Sequence, residues 1–330
     1  MKDTIIELDI PNLWTPYMNN TLATCMNKYA LRIIEDSDIQ KIYEKSLELS
    51  TNNTRRITEI FSQVSFPIPH GFTDDDVDLD APRLFSDEFL LFYLHEMTIY
   101  GLTAYSLGIT TTHNPDVHQF FVNAYNGALE LYETTLDTMK SKGLMERTPT
   151  IVLPKKVEFV EKQSFLAGWL GDHRPLNVTE ITSLYFNLKK SIMTKALALG
   201  FSQTARSKEV RSFMKRVVEL AENHINTFRS KLHEDFVSSS IFWDTHITDS
   251  QTAPFSDKLM MAHGGFLLQA AIAYYGTAFS SSTRRDLGAE YSAAVARIAQ
   301  VAEDGMNIMI ANNWFEKPPH TVDRNEIQKS

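Results

Sequence analysis

Phe85-Ser86-Asp87 returns as Phe255-Ser256-Asp257, 170 positions later. At the same ungapped offset Tyr105 meets Tyr275, Asp116 meets Asp286, Glu133 meets Glu303, Glu146 meets Glu316 and Pro149 meets Pro319. Upstream, Phe72 and Asp74 meet Phe242 and Asp244. A fixed internal period constrains the architecture more than any local feature, because it demands two copies of one folding unit. The chain has 330 residues, which suits two domains of roughly 100–200 residues each, each able to bury its own core.

Apolar residues recur at three- and four-residue spacing through most of the chain, the signature of amphipathic helices. The first copy reads as helices from Leu13 to near Ile34, from Ser37 or Asp38 to near Phe61, from Ser86-Asp87 to near Leu107, and from Asp116 onward. The last carries the stripe Val117, Phe121, Ala124, Ala128, Leu131 and Met139, with Gly143 placed as a C-terminal cap. The second copy reads as Thr179 to Leu199 with Gly200 behind it, Ser207 to near Leu232, a third helix from Ser256, and a fourth from near Asp286 to near Asn313.

The loops decide how these helices pack. First and second helices, and third and fourth, are joined by a few residues. Between second and third lies a long stretch, Ser62 to Phe85 in one copy and about His233 to Phe255 in the other. Loops beyond about 12–15 residues are uncommon unless they cross the length of an element. Short–long–short is the connectivity of a four-helix bundle with one crossover, the ferritin-like kind. The expected fold is therefore all-α: two tandem ferritin-like four-helix bundles, residues 1–147 and 178–330. Residues 148–177 form a linker with one short helix, expected to pack its apolar Phe159, Val160, Phe165, Leu166 and Trp169 on the bundles.

That connectivity raises the question of a di-metal centre, which needs a Glu from each of two helices and Glu-x-x-His from each of the others. No Glu in the chain is followed by His three residues later, and none lies between Leu13 and Ile34. The standard centre is excluded in both copies. A reduced site in the second copy is the alternative, with His224, His263 and Glu303 as candidate ligands for a single Zn²⁺ or Fe²⁺ and Asn187 nearby. Against it stands the reading of both histidines as hydrogen-bonded core residues. Their counterparts in the first copy are Tyr93 and, with a one-residue slip, Asn53. No cofactor is otherwise expected.

The remaining motifs read as structure. Phe-Ser-Asp is a helix start: a capping Ser, an acid in the positive first turn, and a Phe that staples onto it. Asp74-Asp75-Asp76 lacks the Gly-centred loop and terminal Glu of a calcium site and is expected to be solvated. Cys25, the sole cysteine, excludes intrachain disulfides and is expected to pack as a small hydrophobe. A net charge of −9 speaks against a nucleic-acid partner. The acidic N-terminal residues do not resemble a signal peptide, and no run approaches the ~20 apolar residues of a membrane span, so a cytoplasmic setting is expected. No phosphate loop, nucleotide fingerprint or nucleophile elbow is present.

Pro67-Ile68-Pro69-His70-Gly71-Phe72, Ala81-Pro82-Arg83-Leu84-Phe85-Ser86-Asp87, Gly200-Phe201-Ser202-Gln203 and Pro254-Phe255-Ser256-Asp257-Lys258-Leu259-Met260 resemble a domain-of-unknown-function family from endospore-forming firmicutes. The resemblance covers nearly the whole chain. It implies tandem ferritin-like bundles, distantly related to a spore coat protein of that fold, and a spore-associated setting. It implies no catalytic residues. The leading functional expectation is a non-catalytic structural or interaction protein, with homo-oligomerisation or spore-coat partners open. The alternatives are the metal site above and an apolar small molecule held in a bundle core, against Phe92, Tyr93, Tyr100, Tyr105, Phe121 and Tyr125.

Overall fold

The computed structural model describes residues 7–145, 148–168, 174–237, 243–321 and 324. Trp169, Glu146 and Phe242 lie outside the described residues. Among the described residues, eight α-helices form two four-helix bundles: α1 Trp14–Ile33, α2 Ser37–Gln63, α3 Asp87–Thr111 and α4 Pro115–Ser141, then α5 Val178–Thr204, α6 Lys208–Glu234, α7 Asp257–Ser281 and α8 Arg285–Ala311. Among the described residues none of these helices is long and apolar enough to cross a membrane. Successive helices pair as hairpins, and in each copy a long crossover joins the second helix to the third. The two copies correspond at an offset of 171 through α1 and α2 (Asp36 and Ser207 are the matched N-caps) and 170 through α3 and α4.

The repeated Phe-Ser-Asp divides three tasks. Ser86 Oγ accepts from Phe89 N–H and Ser256 Oγ from Leu259 N–H, at 3.2 and 3.0 Å, which caps α3 and α7. Each Asp reaches sideways to the preceding hairpin. Asp87 accepts from Glu35 and Asp36 N–H (3.0, 2.7 Å), and Asp257 from Arg206 and Ser207 N–H (2.9, 2.7 Å). Each carboxylate thereby pairs backbone donors left over at the start of α2 or α6. Phe85 and Phe255 cross to the other copy. Phe85 packs on Gly200, and Phe255 on Tyr29 at 5.1 Å between ring centroids.

The crossovers hold each other reciprocally. Val77 pairs antiparallel with Phe255, and Phe85 with Ile247. Because 77 corresponds to 247 and 85 to 255, the two bridges are related by a pseudo-twofold axis. Four backbone bonds close them: Asp78 N–H to Pro254 O, Ser256 N–H to Asp76 O, Ser86 N–H to His246 O and Thr248 N–H to Leu84 O, all 2.9 Å. Side chains repeat the symmetry. Ser256 Oγ donates to Asp76 at 2.6 Å, and at the matching place Ser86 Oγ meets His246 Nδ1 at 2.9 Å. Asp76 is therefore buried, not solvated; its oxygens hold Thr73 N–H and the other copy's cap serine.

Several helix ends differ from expectation. α5 runs through Gly200 to Thr204. Gly200 is not a cap; its missing side chain leaves room for Phe85, whose ring would lie 2.7 Å from an added Cβ. Asn114, not Asp116, caps α4, and Asp116 instead pairs with Arg56 at 2.7 Å. Gly143 does end α4 in the left-handed region (φ +70), and Asn313 does the same after α8 (φ +56), the two residue types that tolerate that conformation best. The linker departs further. It holds a short 3-10 turn at Gln163–Leu166, and Phe165 and Leu166 are half-buried. Phe159 and Val160, however, stand in solvent at 90% and 61% exposure, so its upstream part does not pack on the bundles.

Gly200→Ala should destabilise the protein by up to about 2 kcal/mol. Displacing Phe85 costs about 1–3 kcal/mol of overpacking, against roughly 1 kcal/mol of helix propensity gained. Gly265→Ala on α7, where nothing lies within 4 Å, should stabilise by about 0.5–1 kcal/mol. Urea unfolding of both variants reads the contrast; equal effects would contradict the close approach at Gly200.

Candidate functional site

Each bundle carries a polar group of three across its first three helices, and the two groups occupy matched positions. In the first bundle Asn53 on α2 donates to Asn20 Oδ1 on α1 at 3.1 Å, and Asn20 Nδ2 donates to Tyr105 OH on α3 at 3.2 Å. In the second, His224 Nδ1 meets Tyr275 OH at 3.1 Å, and that phenol meets Ser191 Oγ at 3.1 Å. Asn53 corresponds to His224, Asn20 to Ser191 and Tyr105 to Tyr275. The two cores thus hold matched hydrogen-bond chains, centred on Asn20 in the first bundle and on Tyr275 in the second.

The three candidate metal ligands are placed apart. His224 sits in the second bundle's core. His263 faces the first bundle, its Nε2 3.4 Å from Tyr93 OH. Glu303 is exposed on α8, as Glu133 is on α4. Asn187 is buried on α5. Among the described residues no three His, Cys, Asp or Glu gather as a metal-holding group. Burial pushes His224 down to about 4, with help from Arg297, and His263 down to about 3. Both are neutral imidazoles, each with one ring nitrogen lacking a partner among the described residues (Nε2 of His224, Nδ1 of His263).

Tyr93 and His263 are themselves matched positions, so their contact lies on the pseudo-twofold axis between the copies. Near it Glu96 pairs with Lys190 at 2.9 Å and Lys189 at 3.4 Å. Burial alone would raise Glu96, but the two lysines hold its carboxyl at about 2. Lys190 also lies 4.1 Å from the centre of the Tyr100 ring. Cys25 is buried, its thiol 3.3 Å from Thr73 O and pushed up to about 12 by that burial. Arg284 is fully buried and clamped on Asp286 at 2.7 and 3.0 Å.

The copies differ most in the space between their first and third helices. In the second bundle α5 and α7 pack together, and the core there holds a cavity of about 20 Å³ beside His224, room for one water. In the first bundle α1 and α3 stand apart, and the cleft between them measures about 610 Å³. Tyr93, Tyr100, Tyr105, Phe121 and Phe266 line it, with Asn20 and His263 among its polar residues and, among the described residues, no charged side chain. Its lining runs from exposed Asn12, Thr15, Ala104 and Leu107 to buried Tyr93 and His263.

The cause is local. In the second bundle Phe186 on α5 packs edge-on against Tyr274 on α7 at 5.0 Å. Their counterparts in the first are Thr15 and Ala104, both lining the cleft. Four of the aromatics expected around a ligand are in its wall. Phe92 is instead stacked on Trp243 at 4.8 Å, and Tyr125 is not part of the lining. The sequence signal for the cleft was the exchange of Phe186 and Tyr274 for Thr15 and Ala104. It is visible only once α1 and α2 are aligned one residue out of step with α3 and α4.

The chain belongs to the family described as Protein of unknown function (DUF3231), whose model matches it twice in tandem, over residues 2–157 and 164–327. No curated protein and no solved structure matches it.

The buried histidines set a pH dependence. His95, held at about 4 chiefly by burial, joins His224 and His263. In the unfolded chain each would take a proton near 6.5, so on acidification the unfolded state protonates first. Stability is full above about pH 6.5 and is lost between there and about pH 4. At about 1.4 kcal/mol per pH unit, each histidine removes roughly 2 kcal/mol at pH 5. Glu96 and Glu180, both near 2 when folded, add their own loss only below about pH 4.5. Urea unfolding near pH 7.5 and near pH 5 should show the drop. His224→Asn, which installs the first copy's residue, should remove about a third of it; an undiminished drop in that variant contradicts the assignment.

Proposed function

We propose that this member of the family is a non-catalytic binding protein that holds an apolar small molecule in the cleft between α1 and α3. The observation that carries the reading is the cleft itself. Its volume, about 610 Å³, falls within the roughly 300–1,000 Å³ of small-molecule sites. Its wall is chiefly aromatic and aliphatic with a few polar groups at depth, the composition such sites favour. An unfilled cleft forfeits packing contacts, and the second bundle closes the same space with one aromatic pair. A chain that keeps the opening in one copy and seals it in the other keeps it at a cost to stability, the usual mark of a functional feature.

Of the readings open from the sequence, this is the alternative of an apolar small molecule held in a bundle core, which the cleft favours over a purely structural role. A short–long–short connection in each bundle supports a ferritin-like origin for the scaffold. The Asn- and Tyr-centred chains across the bundles support a scaffold whose cores serve packing and binding. The setting in the spore-forming cell rests on the resemblance of the Phe-Ser-Asp and Pro-rich crossover segments alone.

The test copies one bundle onto the other. The wild-type protein should take up the fluorescent apolar probe N-phenyl-1-naphthylamine at one molecule per chain. Thr15→Phe combined with Ala104→Tyr should weaken that binding by tenfold or more and raise the melting temperature. Undiminished probe binding in the double variant, or no binding by the wild type, would sink the proposal.

A further inference from the structure

The deep end of the cleft carries more information than its walls. Asn20 is spent: its amide donates to Pro16 O at 2.8 Å and to Tyr105 OH, and its carbonyl accepts from Asn53. Tyr100 is buried in the lining as well; the polar pair at depth is Tyr93 with His263, 4% and 1% exposed and both in the lining. Their mutual contact, 3.4 Å, is longer than a good O–H···N or N–H···O bond. The other imidazole nitrogen, Nδ1, has no partner among the described residues. Buried polar groups of folded proteins are nearly always paired, and an exception calls for an explanation.

We propose that Tyr93 and His263 recognise a hydroxyl group at the inner end of the cleft's occupant, so that the natural ligand is an uncharged, largely apolar alcohol; this rests on the reading of the cleft as a ligand site. The tautomers of the pair select the group. With the phenol donating to Nε2, the ring hydrogen sits on Nδ1, which must donate. With Nε2–H donating to the phenol, Nδ1 is a bare acceptor and the phenolic hydrogen is left to donate. Only a group that both donates and accepts pairs with either arrangement, and a hydroxyl is the smallest that does.

Charge excludes the obvious competitor. Among the described residues the lining contains no Lys, Arg, Asp or Glu, and an ionised head brought to this depth would lose its water without a counter-charge in the wall. Glu96 and the two lysines paired with it lie outside the lining. A fatty acid anion therefore belongs at the polar mouth or in water, whereas the alcohol of the same length can enter head first. The pseudo-twofold axis explains how the site arises. Matched positions meet there, and divergence of the copies has set a phenol on one side and an imidazole on the other.

Displacement of N-phenyl-1-naphthylamine tests the assignment, using decanol, its isomer nonyl methyl ether, and decanoate at pH 8. In wild type decanol should displace the probe at lower concentration than either. In Tyr93→Phe, which removes one oxygen and keeps the shape, the preference for alcohol over ether should fall about tenfold. His263→Phe should act in the same direction. A preference left intact in Tyr93→Phe, or decanoate binding at pH 8 as well as decanol, overturns the hydroxyl assignment while leaving the cleft as a binding site. Failure of wild type to bind the probe removes the cleft reading, and this inference with it.

Discussion

Two loops hold each other, and the placement of nearly everything else follows. The crossover of the first bundle lends its peptide groups at Asp76, Asp78, Leu84 and Ser86 to the crossover of the second, which answers with His246, Thr248, Pro254 and Ser256. A loop of this length cannot bury its backbone unless its polar groups find partners. Here each crossover is the other's partner, and its symmetry is that of an isologous interface, in which residue i meets j and j meets i. The clasp drives Phe85 against Gly200 and Phe255 against Tyr29. It also brings α3 and α7 to the axis, so that Tyr93 lies on His263. The largest apolar core runs unbroken through both copies.

Within that frame the copies have diverged. The polar chains across their cores are equivalent in position and different in chemistry, with Asn20–Asn53–Tyr105 in one and Ser191–His224–Tyr275 in the other. The aromatic closure between first and third helices is present in one bundle and absent from the other. The first bundle's core is correspondingly in two pieces. A separate cluster around Leu13, Tyr17, Phe61 and Phe120 lies beyond the cleft from the main core. Duplication here has given a closed bundle and an open one. The closed copy supplies α7, which walls the cleft with His263 and Phe266.

Much of the fold was legible in the sequence because caps, periodicity and loop length are local. The eight helices, the paired hairpins and both crossovers follow from them. What escaped was every feature that depends on the other copy. Gly200 reads as a helix stop until Phe85 is seen against it. Asp76 reads as one of three solvated acids until Ser256 reaches it. Phe-Ser-Asp reads as a cap, which its serine is, while its Phe and Asp act on other elements. His224 and His263 mark points where the copies differ, their counterparts being Asn53 and Tyr93. Shared helix faces could not show that one turns to its own core and the other to its neighbour's, with Glu303 outside both. The exposed Phe159 and Val160 show the opposite limit, since apolar composition alone does not say that a linker packs.

The clasp makes one claim that hydrogen exchange can read residue by residue. The amides of Asp78, Ser86, Thr248 and Ser256 lie in loops, where exchange is ordinarily fast. If the crossovers are the element on which both bundles depend, these four should exchange only through global unfolding, with protection equal to that of the most protected amides in α3 and α7. Exchange of these four at the rate of an open surface loop, while the helices stay protected, would show that the bundles stand without the clasp and would contradict the account.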